Sequence, residues 1–80
     1  MFSYNGQRYP FDIIRKRLKF FRLATFRTQN QVAAYLGITQ TAYSYYESGR
    51  SQIDVISFIR LLDLYRLSSI GEFLRVDDPQ

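Results

Sequence analysis

Thr28-Gln-Asn-Gln-Val-Ala-Ala-Tyr-Leu-Gly-Ile-Thr-Gln-Thr-Ala-Tyr-Ser-Tyr-Tyr46 contains no charged side chain, although the chain carries a net charge of +4. Its local signals are dense. Thr28 followed three positions later by Gln31 is a capping-box pattern, and it opens a helix whose Val32, Ala33 and Leu36 share one face. Gly37 interrupts that helix after about two turns. Thr39 then supplies a second cap, and a third helix is predicted from Gln40 to about Ser48, with Gly49 suited to the left-handed position beyond its end. The product is two short helices joined by a tight glycine-containing turn.

Advancing each residue by about 100° separates the sides of this third helix. Ala42, Tyr43 and Tyr46 fall together and are assigned to the core, whereas Gln40, Thr41, Ser44, Tyr45 and Ser48 form an exposed, uncharged face of amide, hydroxyl and phenol groups. Such a face is compatible with an ordinary solvated surface. It also suits the reading of base edges, which are distinguished by paired donors and acceptors, whereas phosphates are bound through charge with little regard to sequence.

Outward from this unit, Asp12 is the expected N-cap of a first helix ending near Leu23 to Thr25, with Ile14, Leu18 and Phe21 on one side and Arg15, Lys16, Arg17 and Lys19 over much of the rest. Asp54 caps a fourth helix through about Tyr65, and Ser69 with Glu72 caps a short fifth. In the fourth helix, Val55, Phe58, Ile59, Leu62 and Tyr65 can face the core while Ile56, Leu61 and Leu64 wrap toward the other side. No strand pattern or repeat occurs, so the fold class is all-α. Residues 1–11 read as an N-terminal arm, with packing of Phe2, Tyr4, Tyr9 and Phe11 on the body favoured over entry of Arg8 into a DNA minor groove. Residues 12–76 form one domain and 77–80 a tail.

Composition removes most chemistry. With no Cys and no His, thiolate nucleophiles, imidazole bases, disulfides and the usual zinc sites are excluded, so we expect neither an enzyme nor a cofactor nor a metal centre. No apolar run approaches the length of a membrane span, which points to a cytoplasmic protein. Residues 1–27 hold seven basic side chains against the single acid Asp12, net +6, and residues 28–80 hold four against six, net −2. That asymmetry fits a polyanion met by one face, and equally an arginine-rich helix solvated on its outer side. The fourteen aromatic residues, seven Tyr and seven Phe, are ascribed to core filling first.

The combined spacing of Gln29, Ala33, Gly37, Gln40, Glu47 and Gly49 resembles the lambda repressor and Cro type of helix-turn-helix domain, the XRE family, most specifically over residues 18–53 and more weakly over residues 13–74. The resemblance implies a compact five-helix DNA-binding domain whose third helix enters the major groove of double-stranded DNA, placing Gln40, Thr41, Ser44 and Tyr45 at base-reading positions. It places Gln29, Arg50, Ser51 and Gln52 near phosphates, and it matches Arg22 and Glu47 to a pair joining the first helix to the end of the recognition helix. Departures occur too. Phe26 and Arg27 stand where the family usually has Gly and an apolar residue, which implies a rebuilt turn with Arg27 within reach of phosphate. Ser48 and Ile53 stand where Asn and Pro are common.

The surplus of apolar residues in the last two helices points to a homodimer, with Leu64, Ile70, Phe73 and Leu74 at the interface and two recognition helices about 34 Å apart. The functional expectation is a transcriptional repressor occupying a palindromic operator. The alternatives are an activator or controller that touches RNA polymerase, an antitoxin with a toxin partner, or a protein-interaction module that does not bind DNA.

Overall fold

Each turn of this chain is set by a residue that satisfies the backbone groups a helix end leaves open. The computed structural model describes residues 11–74, as α1 (Phe11–Ala24), α2 (Gln29–Leu36), α3 (Gln40–Ser48), α4 (Val55–Leu64) and α5 (Ile70–Leu74), with no strand among them. The arm up to residue 10, including Arg8, and the segment 75–80 lie outside the described residues.

The Thr28 hydroxyl accepts from Gln31 N–H at 3.0 Å and the Gln31 amide oxygen accepts from Thr28 N–H at 2.8 Å, closing the capping box of α2. Gly37 leaves that helix at φ 76°, and Thr39 starts α3 by accepting from Ala42 N–H at 3.0 Å. Asp54 caps α4 through Ser57 N–H at 3.0 Å, and Ser69 Oγ accepts from Glu72 N–H at 3.1 Å at the start of α5. Asp12 departs from expectation. Phe11 already belongs to α1, so Asp12 lies within its first turn, where its charge complements the helix dipole and it pairs with Arg15 at 3.3 Å.

Leu18, Val32, Ala33, Leu36, Tyr43, Leu61, Tyr65 and Phe73 make the core. Phe21 stacks between Tyr65 and Phe73, with centroids 5.4 Å away on each side, and Phe58 meets Phe73 edge-on at 4.8 Å. These contacts fill the space between α1 and the C-terminal helices with rings, as composition led us to expect.

The rotation of α4 differs from the expected one. Leu61 is fully buried, whereas Val55 is 70% exposed and Ile59 53% exposed. The inward stripe is Ser57, Leu61 and Tyr65, spaced four apart, flanked by the half-buried Phe58 and Leu62. A clasp between α2 and α4 fixes this choice: Tyr35 Oη donates to the Arg60 carbonyl at 3.1 Å, and Arg60 Nη2 donates to the Tyr35 carbonyl at 2.9 Å. Phe73 is also corrected. It has no exposed surface and belongs to the monomer core, so its side chain is spent before any second copy arrives.

The turn between α1 and α2 is rebuilt as its sequence implies. Thr25 Oγ1 donates back to the Phe21 carbonyl at 2.8 Å, and Phe26 adopts φ 59° while 93% exposed. A bulky L residue in left-handed backbone is strained by roughly 1–2 kcal/mol, and nothing buried offsets it here. Phe26→Gly is therefore expected to stabilise the domain by about 0.5–1 kcal/mol after allowing for the greater freedom of glycine in the unfolded chain. Thermal unfolding followed by circular dichroism should show a midpoint a few degrees higher. A lower midpoint contradicts the strain argument.

Candidate nucleic-acid interface

The N-terminal turn of α3 leaves Gln40 and Thr41 exposed, because the opposite side of the helix is occupied by Tyr43, buried completely, and by Glu47. Neither the Gln40 amide nor the Thr41 hydroxyl bonds to another described residue, so their donors and acceptors are available. Ser44 is half-buried and its hydroxyl donates to the Thr41 carbonyl at 2.8 Å, leaving its oxygen free as an acceptor. The face is uncharged, as the sequence implies.

What holds this helix at its angle is the Glu47 carboxylate. Arg22 Nε donates to Oε2 at 2.7 Å and Arg22 Nη2 to Oε1 at 3.1 Å, a two-pronged pair whose side chains are 11% and 5% exposed. Gln29 Nε2 donates to the same Oε1 at 3.1 Å, and Arg22 Nη1 reaches the Arg27 carbonyl at 3.1 Å. One carboxylate thus ties the end of α1, the α1–α2 turn and the start of α2 to the last turn of α3. The pairing of Arg22 with Glu47 is the one the family resemblance implies, whereas the Gln29 amide, which the resemblance sets as a brace for Gln40, is bonded to Glu47. Burial alone would raise the Glu47 carboxyl, but the interactions with Arg22, Tyr43 and Gln29 outweigh it and hold it below the ordinary carboxylate range. The guanidinium of Arg22 is pushed up by the same bond. Beside the pair, the Tyr65 hydroxyl is buried without a hydrogen-bond partner among the described residues. Burial pushes the Tyr65 phenol up to about 12 and that of Tyr43 higher still.

Lys19, Gln29, Ser44, Tyr45 and Arg50 line one shallow depression together with Glu47 and Ser48. Ser51 and Gln52 line a neighbouring one, with Asp12, Arg15 and Tyr46. Arg27 belongs to neither. Its guanidinium lies 5.9 Å from the Tyr65 ring, in a depression shared with Tyr35, Asp63, Leu64 and Arg66, which separates it from the other expected phosphate contacts. With Arg where the family carries an apolar side chain, a guanidinium stands near the Tyr65 face.

Other cations are likewise engaged. Arg17 donates to the Phe73 carbonyl at 2.8 Å and lies over Phe20 and Phe21, while Arg60 sits in the clasp on Tyr35. Lys19 was not singled out by sequence reasoning. The available signal was its position three residues before Arg22, one turn earlier along the side of α1 that faces α3.

Two short helices at a fixed angle, the second with an exposed polar face, define a helix-turn-helix protein. The helix-turn-helix family model matches residues 18–73, and the chain belongs to that family, in its lambda repressor and Cro (XRE) branch. Membership makes it a DNA-binding transcription-regulator domain of a typically non-enzymatic kind. No curated protein and no solved structure matches the chain. Among the described residues, no helix is long and apolar enough to cross a membrane.

Removing one partner of the buried pair leaves an uncompensated charge, so Arg22→Met or Glu47→Leu alone should cost about 3–5 kcal/mol in urea unfolding, and the double replacement much less than their sum. The folded Glu47 carboxyl is depressed, so its contribution is complete above the unfolded value of about 4.3 and is lost as pH falls through the lower folded value. The stability difference between wild type and the double variant should therefore be level near neutrality and change only below about pH 4. A difference that already changes between pH 5 and 7 contradicts this assignment.

Proposed function

We propose that this regulator represses transcription by occupying a palindromic operator as a dimer, with α3 in the major groove. The observation that carries the reading is the pair Gln40 and Thr41, exposed, uncharged and unbonded at the start of a helix whose angle is locked by Glu47. A Gln amide can donate to adenine N7 and accept from N6 together, which identifies one base pair. Thr41 and Ser44 add hydroxyl contacts. Gln29, Arg50, Ser51 and Gln52 supply phosphate contacts, and Arg27 is withdrawn from that set because it lines a different depression, together with Asp63.

The dimer draws support from apolar groups left exposed on the C-terminal helices. Ile70 is half exposed, Leu64 and Leu74 are partly so, and Val55, Ile56 and Ile59 join them in place of Phe73. A second reading, an activator, antitoxin or interaction module that docks on another protein such as RNA polymerase or a toxin, is favoured by Phe20, Leu23 and Phe26 exposed together at the end of α1.

Selection of bound duplexes from a random pool at two salt concentrations tests the reading. Gln40→Ala should remove about 1–3 kcal/mol of discrimination at one base pair and leave the other positions unchanged. An unaltered preference at every position sinks the assignment of Gln40. Sedimentation at micromolar concentration, free and with duplex, checks the dimer: a monomer under both conditions eliminates it.

A further inference from the structure

Tyr45 occupies a position where a base-reading role was expected, but its surroundings assign it another task. Its ring lies under the Arg50 guanidinium, 4.6 Å from the centroid. The turn carrying Arg50 is wound on the Tyr45 carbonyl, which accepts from Gly49 N–H at 3.1 Å, Ser51 N–H at 3.2 Å and Ser48 Oγ at 3.3 Å. Gly49 permits this at φ 88°, and a Cβ there would also meet Arg15 Cδ at 3.0 Å. Backbone and side chain of Tyr45 therefore fix Arg50 from two directions, while the guanidinium edge bonds to no described residue and Arg50 remains exposed.

Lys19 of α1 lines the same depression, beside the Gln29 amide and the Ser44 and Ser48 hydroxyls. The Glu47 carboxylate also lines it, but Arg22 and Gln29 take its charge and its lone pairs. What remains is two uncompensated cations, Lys19 and Arg50, flanking neutral hydrogen-bonding groups. This chemistry fits a phosphodiester: a delocalised guanidinium that offers two parallel N–H donors and an ammonium point charge.

We infer that Lys19 and Arg50 form a seat for one DNA backbone phosphate, and that Tyr45 is a positioning residue that holds Arg50 against it. This rests on the DNA-binding reading above and deepens it. A guanidinium already stacked on a ring loses less freedom on binding than one waving in water, so Tyr45 strengthens contact with every sequence alike. It does not select among bases.

Fluorescence anisotropy of the full-length protein with the selected duplex and with a scrambled one, over a range of salt, tests the seat. Lys19→Ala and Arg50→Ala should each weaken both duplexes by the same factor and lower the slope of log affinity against log salt by about one unit. Tyr45→Leu should reproduce part of the Arg50→Ala loss on both duplexes, add little to it in the double variant, and leave the selected base sequence unchanged. Tyr45→Phe should restore binding, since the ring remains. Melting curves establish that each variant is folded. A changed base preference in Tyr45→Leu overturns the positioning role, and an unchanged salt slope in Lys19→Ala overturns the seat. Equal binding of both duplexes by the wild type removes the selective-reading proposal while leaving the seat standing, whereas no binding to either removes both.

Discussion

The Glu47 carboxylate is the point on which the geometry of this domain turns. It stands in the last turn of α3, yet its partners come from the end of α1 and the start of α2. A buried ion pair contributes little net stability, because desolvation of both charges offsets most of their attraction. Its value lies in direction. Carboxylate and guanidinium meet well only when their planes and distances agree, so the pair tolerates one relation between α1, α2 and α3 and penalises others. The hydrophobic contacts of Val32, Leu36 and Tyr43 bring the helices together, and the polar lock decides at what angle.

The lock also explains why formal charge overstates the phosphate-binding surface. Arg17, Arg22 and Arg60 spend their guanidinium groups on a backbone carbonyl or a carboxylate, and Arg27 lies in a depression away from α3 that it shares with Asp63. Arginine is suited to such work because its planar, weakly hydrated group bonds and stacks at once. The cations that open onto the α3 side are Lys19 and Arg50, with Arg15 and Lys16 on the adjoining surface of α1. Cationic excess in the first helix therefore divides between holding the fold and facing outward.

Most features decided within four or five residues were legible in the sequence, the cap assigned to Asp12 being the exception. The Thr28–Gln31 box, the caps at Thr39 and Asp54 and the left-handed Gly49 each depend on a side chain next to the backbone it serves. Gln40 and Thr41 were legible for the same reason, since their exposure follows from helical periodicity once Tyr43 is inside. Features decided across the molecule were not. In α4 seven of the ten positions are apolar and the inward stripe includes the polar Ser57, so periodicity could not choose which stripe turns inward; Tyr35 on another helix meets Arg60 on the outward side. Phe73 looked free for an interface because nothing local showed that Phe21 and Phe58 enclose it. Arg27 was given to phosphate because the ring beneath it belongs to Tyr65, far along the chain.

If α3 reads bases as proposed above, its neutrality acquires a physical meaning. A cation at a base edge is attracted by every nearby phosphate, so its attraction survives a wrong sequence. An amide has no such reserve: if the base opposite Gln40 cannot both donate and accept, the amide is buried in the groove with its bonds unmade, at a cost of about 1–3 kcal/mol. Selectivity by loss requires that the side chain be unable to swing away, and hence that its helix be held rigidly. The rigid hold comes from a pair that is itself charged but largely buried, with the Glu47 charge balanced by Arg22 and bonded by Gln29. Charge is thus kept in the frame and at the rim, and withheld from the surface where distinguishing one base pair from another depends on the penalty for a poor match.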